Sequence, residues 1–404
     1  MNQRHAARSL RIGLLMHSLN PRGGVVHTLE LAEALIDRGH SVTIWAPALP
    51  GQTLFRTTRA RLSVAQVQDR TRELVPMVAA RMSAMAQHLR QQPDLGAYDV
   101  LHSQDSITAN ALATLRDEGL IRGYTRTVHH LDHFSDMQLS TWQTRGVRAA
   151  SQLLCVSALW QQVLRKDWGL AADVAPNGVN LQRFQAHVGT AQAMRDQALL
   201  HQLGVQAEGT VWLAVGGIEA RKNTLRLLQA FAIARQRAPH AQLVIAGGAS
   251  LLDHDTYAQA FAQTLAEHGM AAGQPHAQAV RLTGPLPDDA LPALYRRATA
   301  LAMPSTSEGF GLVVLEALAC GTPAIVSRIA PFTEHLRAHE VLWVDPLDIS
   351  STSQALLHSL QADQTQPVLD AAPAVCQRLS WAEAARRHEC FYQRHQPQLE
   401  PTHA

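Results

Sequence analysis

Short apolar runs alternate with helix-period segments along almost the whole of this chain, and nothing else in it limits the possible folds so sharply. "RIGLLMHS" (11–18) has the make-up of a buried strand. Behind it Val25, Leu29, Ala32 and Ile36 recur at helical spacing, Gly39 stands where a C-cap would, and "SVTIWAP" (41–47) is the next strand. Strand, helix and strand in that order need a crossover, so the strands run parallel. "YDVLHS", "TRTVHH", "QLLCVS" and "ADVAP" continue the strands, helices are expected near 106–118 and 157–167, and Asn177-Gly178 reads as a turn. A second series starts after 205, with strands "TVWLAVGG", "AQLVIAGG", "AVRLTG", "TALAMPS", "TPAIVS" and "VLWVD" separated by helical patterns. Two such series predict two doubly wound α/β domains, and 404 residues are too many for one ordinary core. The boundary is expected within 180–205, where no strand pattern occurs, and "WAEAARRHECFYQRH" is a last helix free to dock on either half.

Composition narrows the function. With 46% hydrophobic and 17% charged residues the chain reads as soluble and globular, disorder being confined at most to 1–9 and 396–404. No apolar run approaches the roughly 18 residues of a membrane span. The N-terminus lacks a charged-then-apolar signal, so the expected location is the cytoplasm. A formal charge of +2 makes no case for nucleic acid. Cys155, Cys320, Cys376 and Cys390 have no metal-type spacing and read as reduced thiols. Lysine occurs only as Lys166 and Lys222.

The chemistry-bearing stretch is "EGFGLVVLE" (308–316), an apolar run with a carboxylate at each end. Between Gly311 and Cys320, Glu316 is the only charged residue on a helix apolar almost all round. A buried charge needs donors: a protein group such as Arg or a backbone N–H, or the two hydroxyls of a ribose. Glu308 falls at the strand-to-helix turn, the edge where open α/β sheets bind ligands, unless it serves only as an N-terminal acid on the helix dipole. Gly309 and Gly311 permit close backbone approach beside a helix start suited to phosphate. "VGGIEARKN" (215–223) follows another strand, and its Arg221 and Lys222 offer two cations to a diphosphate leaving group; an exposed basic turn is the plainer reading.

In the first half, "LNPRGG" puts Gly23 and Gly24 in the first strand–helix loop. This is not G-x-G-x-x-G, so a redox dinucleotide is poorly supported. His129, His130, Asp132, His133 and Asp136 crowd the end of another strand. His129 and His133 have i,i+4 spacing, but the segment reads as strand then loop, and metal is not expected. Residues 55–92 hold seven arginines among Leu, Val and Met, a face suited either to anionic lipid in a weak peripheral contact, to an acidic acceptor, or, more commonly, to plain solvation.

Taken together, "GGVVHTLELAEALIDRGHSVTIWAP", "TVHH", "CVS", "PNGVN", "GGIEARKN", "LVIAGG" and the block from "LTGPLPDD" to "TPAIVS" resemble, in the same order, the retaining GT-B glycosyltransferases of family 4. The resemblance implies two Rossmann-like domains facing across a cleft, an acceptor-side domain at 1–183 and a nucleotide-sugar domain at 184–379, with a terminal helix over 380–397 returning to the first. It implies that Glu308 holds the donor sugar's hydroxyls, Glu316 the ribose, and the backbone of Gly309, Phe310, Gly311 and Leu312 the sugar and diphosphate. Lys222 would contact the diphosphate, His129 would face the sugar, and Gly24 would lie near phosphate or acceptor. Gly217 stands where many members carry Arg, so Arg221 is assigned that cation's task; His130 stands where Asp often follows the family's His. The implied reaction moves a sugar from a nucleotide diphosphate sugar to an acceptor hydroxyl, with retention, without metal or other cofactor. A nucleotide-sugar epimerase or hydrolase and a non-catalytic binding subunit are the alternatives. Base, sugar, acceptor and oligomeric state are not readable.

Overall fold

The computed structural model describes residues 8–71, 73–248 and 255–395. The chain divides into two units, one ending at Asn177 and resuming at Trp381, the other spanning Gly178–Ser380. The first contains β1 (Arg11–Leu15), α1 (Gly23–Asp37), β2 (Ser41–Ala48), β3 (Arg61–Gln66), α2 (Leu74–Arg90), β4 (Val100–Ser103), α3 (Ser106–Asp117), β5 (Thr125–Val128), α4 (Met137–Arg148), β6 (Gln152–Cys155), α5 (Ala158–Asp167) and β7 (Asp173–Val174). The second contains α6 (Thr190–Gln202), β8 (Val211–Val215), α7 (Thr224–Arg235), β9 (Gln242–Ala246), α8 (Asp255–Glu267), β10 (Val280–Gly284) and α9 (Ala290–Arg297). It continues with β11 (Ala300–Met303), α10 (Leu312–Ala319), β12 (Ala324–Ser327), α11 (Phe332–His335), β13 (Leu342–Val344), α12 (Ile349–His358) and α13 (Ala362–Arg378), before α14 (Trp381–His395) rejoins the first unit. The last residues of the expected helix over 380–397 lie outside the described ones.

The sheets order as β3-β2-β1-β4-β5-β6-β7 and β10-β9-β8-β11-β12-β13. Every named strand pair is parallel, and the alternating helices cover both faces. That explains why the inner strands read as unbroken apolar runs: β4, β9, β11 and β12 are buried at every position. The order reverses between β1 and β4 in one sheet and between β8 and β11 in the other. Loops leaving the carboxyl ends of strands diverge at such a point and open a crevice.

Leu15, Trp45, Met85, Leu101, Leu112 and Tyr124 belong to the first unit's core, and Trp212, Phe231, Leu243, Ile245, Phe261 and Leu356 to the second's. α14 packs on α1, where Arg38 Nε donates to Glu389 at 2.6 Å. Gly39 adopts φ 87° just past α1, as its C-cap position requires. The expected turn at Asn177-Gly178 does not form, and Val179 just beyond it bridges to Ser380. Among the described residues no helix is long and apolar enough to cross a membrane.

Candidate functional site

The second unit's site is built on the two loops that flank its β8/β11 reversal. The β8–α7 loop begins with Gly216 and Gly217, at φ 124° and 76°. Both amides donate to the carbonyl of Ala246, at 2.8 and 3.1 Å, clamping the loop to β9. A Cβ on Gly217 would lie 2.4 Å from the Gly248 carbonyl oxygen, and one on Gly216 would lie 2.7 Å from Lys222 Cε. One glycine therefore admits the neighbouring loop and the other admits the lysine stem. Because the Gly217 N–H is engaged with Ala246, the visible contribution of this position is close packing.

Arg221 and Lys222 follow in a single short turn, Ala220–Lys222, that ends at Asn223 in the left-handed region (φ 58°). The Asn223 amide donates to the carbonyls of Pro304 (2.9 Å) and Pro346 (2.6 Å), fastening this loop to the ends of β11 and β13. The Thr306 N–H donates to the Arg221 carbonyl at 2.9 Å. The β8–α7 and β11–α10 loops are thus one hydrogen-bonded assembly.

Glu308 is 7% exposed at its centre. Lys222 Nζ donates to its Oε1 at 2.7 Å and Arg221 Nη1 at 3.3 Å, while Arg221 Nη2 reaches Glu219 Oε2 at 3.2 Å. Burial alone would raise the Glu308 pKa, but the charges of Lys222 and Arg221 outweigh it and hold the carboxyl below the usual carboxylate range. Glu308 does not act as a simple N-terminal acid; it is the shared partner of two cations. Lys222 is itself largely enclosed, whereas half of the Arg221 side chain faces solvent.

After Glu308 come Gly309, buried Phe310, whose ring packs at a tilt against His335 with centroids 4.5 Å apart, and Gly311 at φ 92°. A Cβ on Gly311 would sit 2.3 Å from Phe332 Cε1. Gly311 is also the N-cap of α10 and offers no side-chain acceptor, so Leu312 opens a helix whose first amides are left to other partners. Glu316, about a turn further on, is 8% exposed and accepts a 2.8 Å bond from the Tyr295 hydroxyl. A protein donor thus supplies part of the demand that the sequence left between protein and ribose. Burial and the Glu316 charge push the Tyr295 phenol well up, so it stays a donor.

In the first unit, Gly24 is the second residue of α1, and a Cβ there would lie 4.0 Å from His129 Cδ2. His129 leaves β5 in a loop, so the i,i+4 spacing to His133 is not helical, and no cluster fit to hold a metal is found among the described residues. His129 Nε2 donates to Gln104 Oε1 at 3.1 Å. Its ring meets His27 edge-on at 4.6 Å, and His27 in turn neighbours Trp381 and His388 of α14. His27 Nδ1 donates to Asn177 Oδ1 at 2.8 Å, and His102 bridges Tyr392 and Thr127, each at 2.7 Å. Burial holds His27 down to about 3 and His388 to about 4, and pushes His102 and His129 well below the ordinary range. These are neutral imidazoles. His27, His102, Gln104, Asn223, Tyr295 and His388 carried no readable signal beyond their polar type, and Asn177 none beyond a turn, because their partners lie up to 290 residues away. The basic segment is partly committed: Arg56 pairs with Glu30, Arg59 with Glu33 and Asp37, and Arg90 with Glu118. Arg72 lies outside the described residues.

Two parallel α/β sheets, each with a strand-order reversal, are the architecture of the GT-B class, and solved structures agree. The sucrose-phosphate synthase of Thermosynechococcus elongatus superposes with a TM-score of 0.75 at 21% identity, covering 96% of this chain and 99% of that one. The family described as Glycosyltransferase Family 4 matches residues 21–183 and that described as Glycosyl transferases group 1 matches residues 197–369. The chain belongs to the family 4 glycosyltransferases of the GT-B fold. Among curated relatives, the D-inositol 3-phosphate glycosyltransferase of Salinispora arenicola is 34% identical over 228 residues, 54% of this chain and 46% of that protein. This chain thus spans less than half of that relative's length. The phosphatidyl-myo-inositol mannosyltransferase of Mycobacterium tuberculosis is 28% identical over 93% of this chain and 94% of its own.

Proposed function

We propose that this chain transfers a sugar from a nucleotide diphosphate sugar to an acceptor hydroxyl, with retention of anomeric configuration and without a metal ion or other cofactor. The carrying observation is the enclosed Glu308 bonded to both Lys222 and Arg221 at the strand reversal. Two cations beside one carboxylate form a self-satisfied set. An arriving diphosphate competes for Lys222 and Arg221, and Glu308 turns its acceptor oxygens to the sugar hydroxyls next to the reacting carbon. The departing diphosphate is then neutralised by protein cations, the task a divalent ion performs in other transferases. Gly309 to Leu312 supply backbone amides near sugar and phosphate, Glu316 shares its oxygens between Tyr295 and the ribose, and Gly217 keeps the floor of the loop close-packed. In the first unit, Gly24 and His129 are assigned to substrate contact in that unit's strand-end loops.

The test uses purified protein with a panel of nucleotide diphosphate sugars, with and without chelator, and scores nucleotide release against acceptor. Release that needs acceptor and survives chelation is the expected result. Release without acceptor favours a hydrolase, and tight binding without turnover favours a binding subunit; either would sink the reading.

A further inference from the structure

Level with the carboxyl ends of β1 and β4, where Arg126 of β5 pairs with Ser103, the first unit gathers more positive charge than its acids balance. Arg126 on β5 is 4% exposed, and its Nε and Nη1 are enclosed with no hydrogen-bond partner. Burial lowers it to about 10, which still leaves it charged at neutral pH. Arg81 of α2, itself partly buried, donates through Nη1 to the His17 carbonyl at 2.9 Å, which fixes its head near the same loop. The charges of Arg81, Arg22 and Arg126 all bear on the His17 imidazole. Asp105 faces this group as its acid: Oδ2 lies 3.8 Å from His17 Nδ1, and its charge acts on both Arg81 and Arg126. But Asp105 already caps α3, accepting from the Thr108 N–H at 2.8 Å and hydroxyl at 3.1 Å. His102, His129 and Tyr124, whose phenol burial pushes up to about 12, also lie near Arg126 and are neutral.

A guanidinium buried with two idle donors bears the desolvation cost of its charge without the bonds that offset it. An oxyanion supplies what is missing, since one phosphate or carboxylate accepts two parallel N–H bonds from an arginine fork. We propose that Arg126, with Arg81, forms an anion site in the first unit that takes a phosphate or carboxylate group carried by the acceptor. Only the word acceptor rests on the transferase reading; the anion site stands on the guanidinium itself.

The test is a 31P NMR titration of inorganic phosphate into the full chain carrying Lys222→Ala, which weakens competing binding at the donor loop. Adding Arg126→Gln should weaken phosphate by at least about tenfold, because a charge-assisted pair is lost. Its Tm should equal or exceed that of the parent, because an unpaired buried charge is removed. Unchanged phosphate affinity in the Arg126→Gln protein overturns the proposal, as does a lower Tm with phosphate still bound. Should Arg126→Gln fail to fold, Arg81→Gln decides: weakened phosphate supports the site and unchanged affinity sinks it. Sedimentation with phosphatidylglycerol vesicles, lost in Arg126→Gln, assigns the anion to a lipid headgroup; phosphate binding without sedimentation assigns it to a soluble acceptor. Nucleotide release, measured on protein with Lys222 intact, separates the two readings. Release intact with phosphate indifferent to Arg126 removes the anion site alone. Phosphate bound through Arg126 without any release removes the transferase and leaves the site.

Discussion

At the residue scale, the arrangement turns on one carboxylate held by two cations. Glu308→Gln keeps the side chain's shape but removes the charge that pairs with Lys222 and Arg221. Turnover should fall about 100-fold or more, as on losing an oriented transition-state contact, while nucleotide binding survives. Glu316→Ala should do the reverse, weakening nucleoside diphosphate about tenfold, by roughly the worth of one charged hydrogen bond, in a calorimetric titration. Gly217→Ala tests packing rather than charge: a left-handed backbone and a Cβ 2.4 Å from Gly248 O should destabilise the protein by about 2 kcal/mol or more in denaturant titration. The two acids were legible in the sequence because Glu316 is a charge in a greasy helix and Glu308 stands at the glycine-rich strand-to-helix turn just before it. Tyr295, the Glu316 donor, was not, because nothing local marks a tyrosine 21 residues away as its partner.

At the element scale, strands buried on both faces announced themselves and half-covered elements did not. β3 is only partly buried and sits at the sheet edge, so "RLSVAQ" shows neither an apolar run nor clean alternation. α13 contains Pro367 and Pro373, which read as breaks. α4 and α12 bury only a few side chains each. α14 was visible by its period, but the imidazole of His388 that it brings against His27 and His102 was not. That contact predicts acid sensitivity. The native imidazoles stay neutral down to about 3 for His27 and about 4 for His388, while unfolded histidines titrate near 6.5. The unfolded state therefore binds more protons below that pH, so stability is full above about 6.5 and falls as pH drops toward 4. Unfolding free energies measured across that range should show the fall, and His388→Gln should flatten the slope by up to about 1.4 kcal/mol per pH unit.

At the scale of the whole molecule, the sequence's two strand–helix series became two sheets whose strand-end loops carry the conspicuous residues: Gly24 after β1 and His129 after β5 in one, Arg221, Lys222 and Glu308 beside the β8/β11 reversal in the other. A nucleoside diphosphate at about 100 times its Kd should add roughly 2.7 kcal/mol to the apparent stability, and Lys222→Ala should remove much of that gain. The most direct measurement is acceptor-dependent nucleotide release by wild-type and Glu308→Gln protein at matched donor occupancy, in the presence of chelator. The wild type should release nucleotide and the variant should lose nearly all of that release with donor still bound; equal release by both would contradict the role given to Glu308.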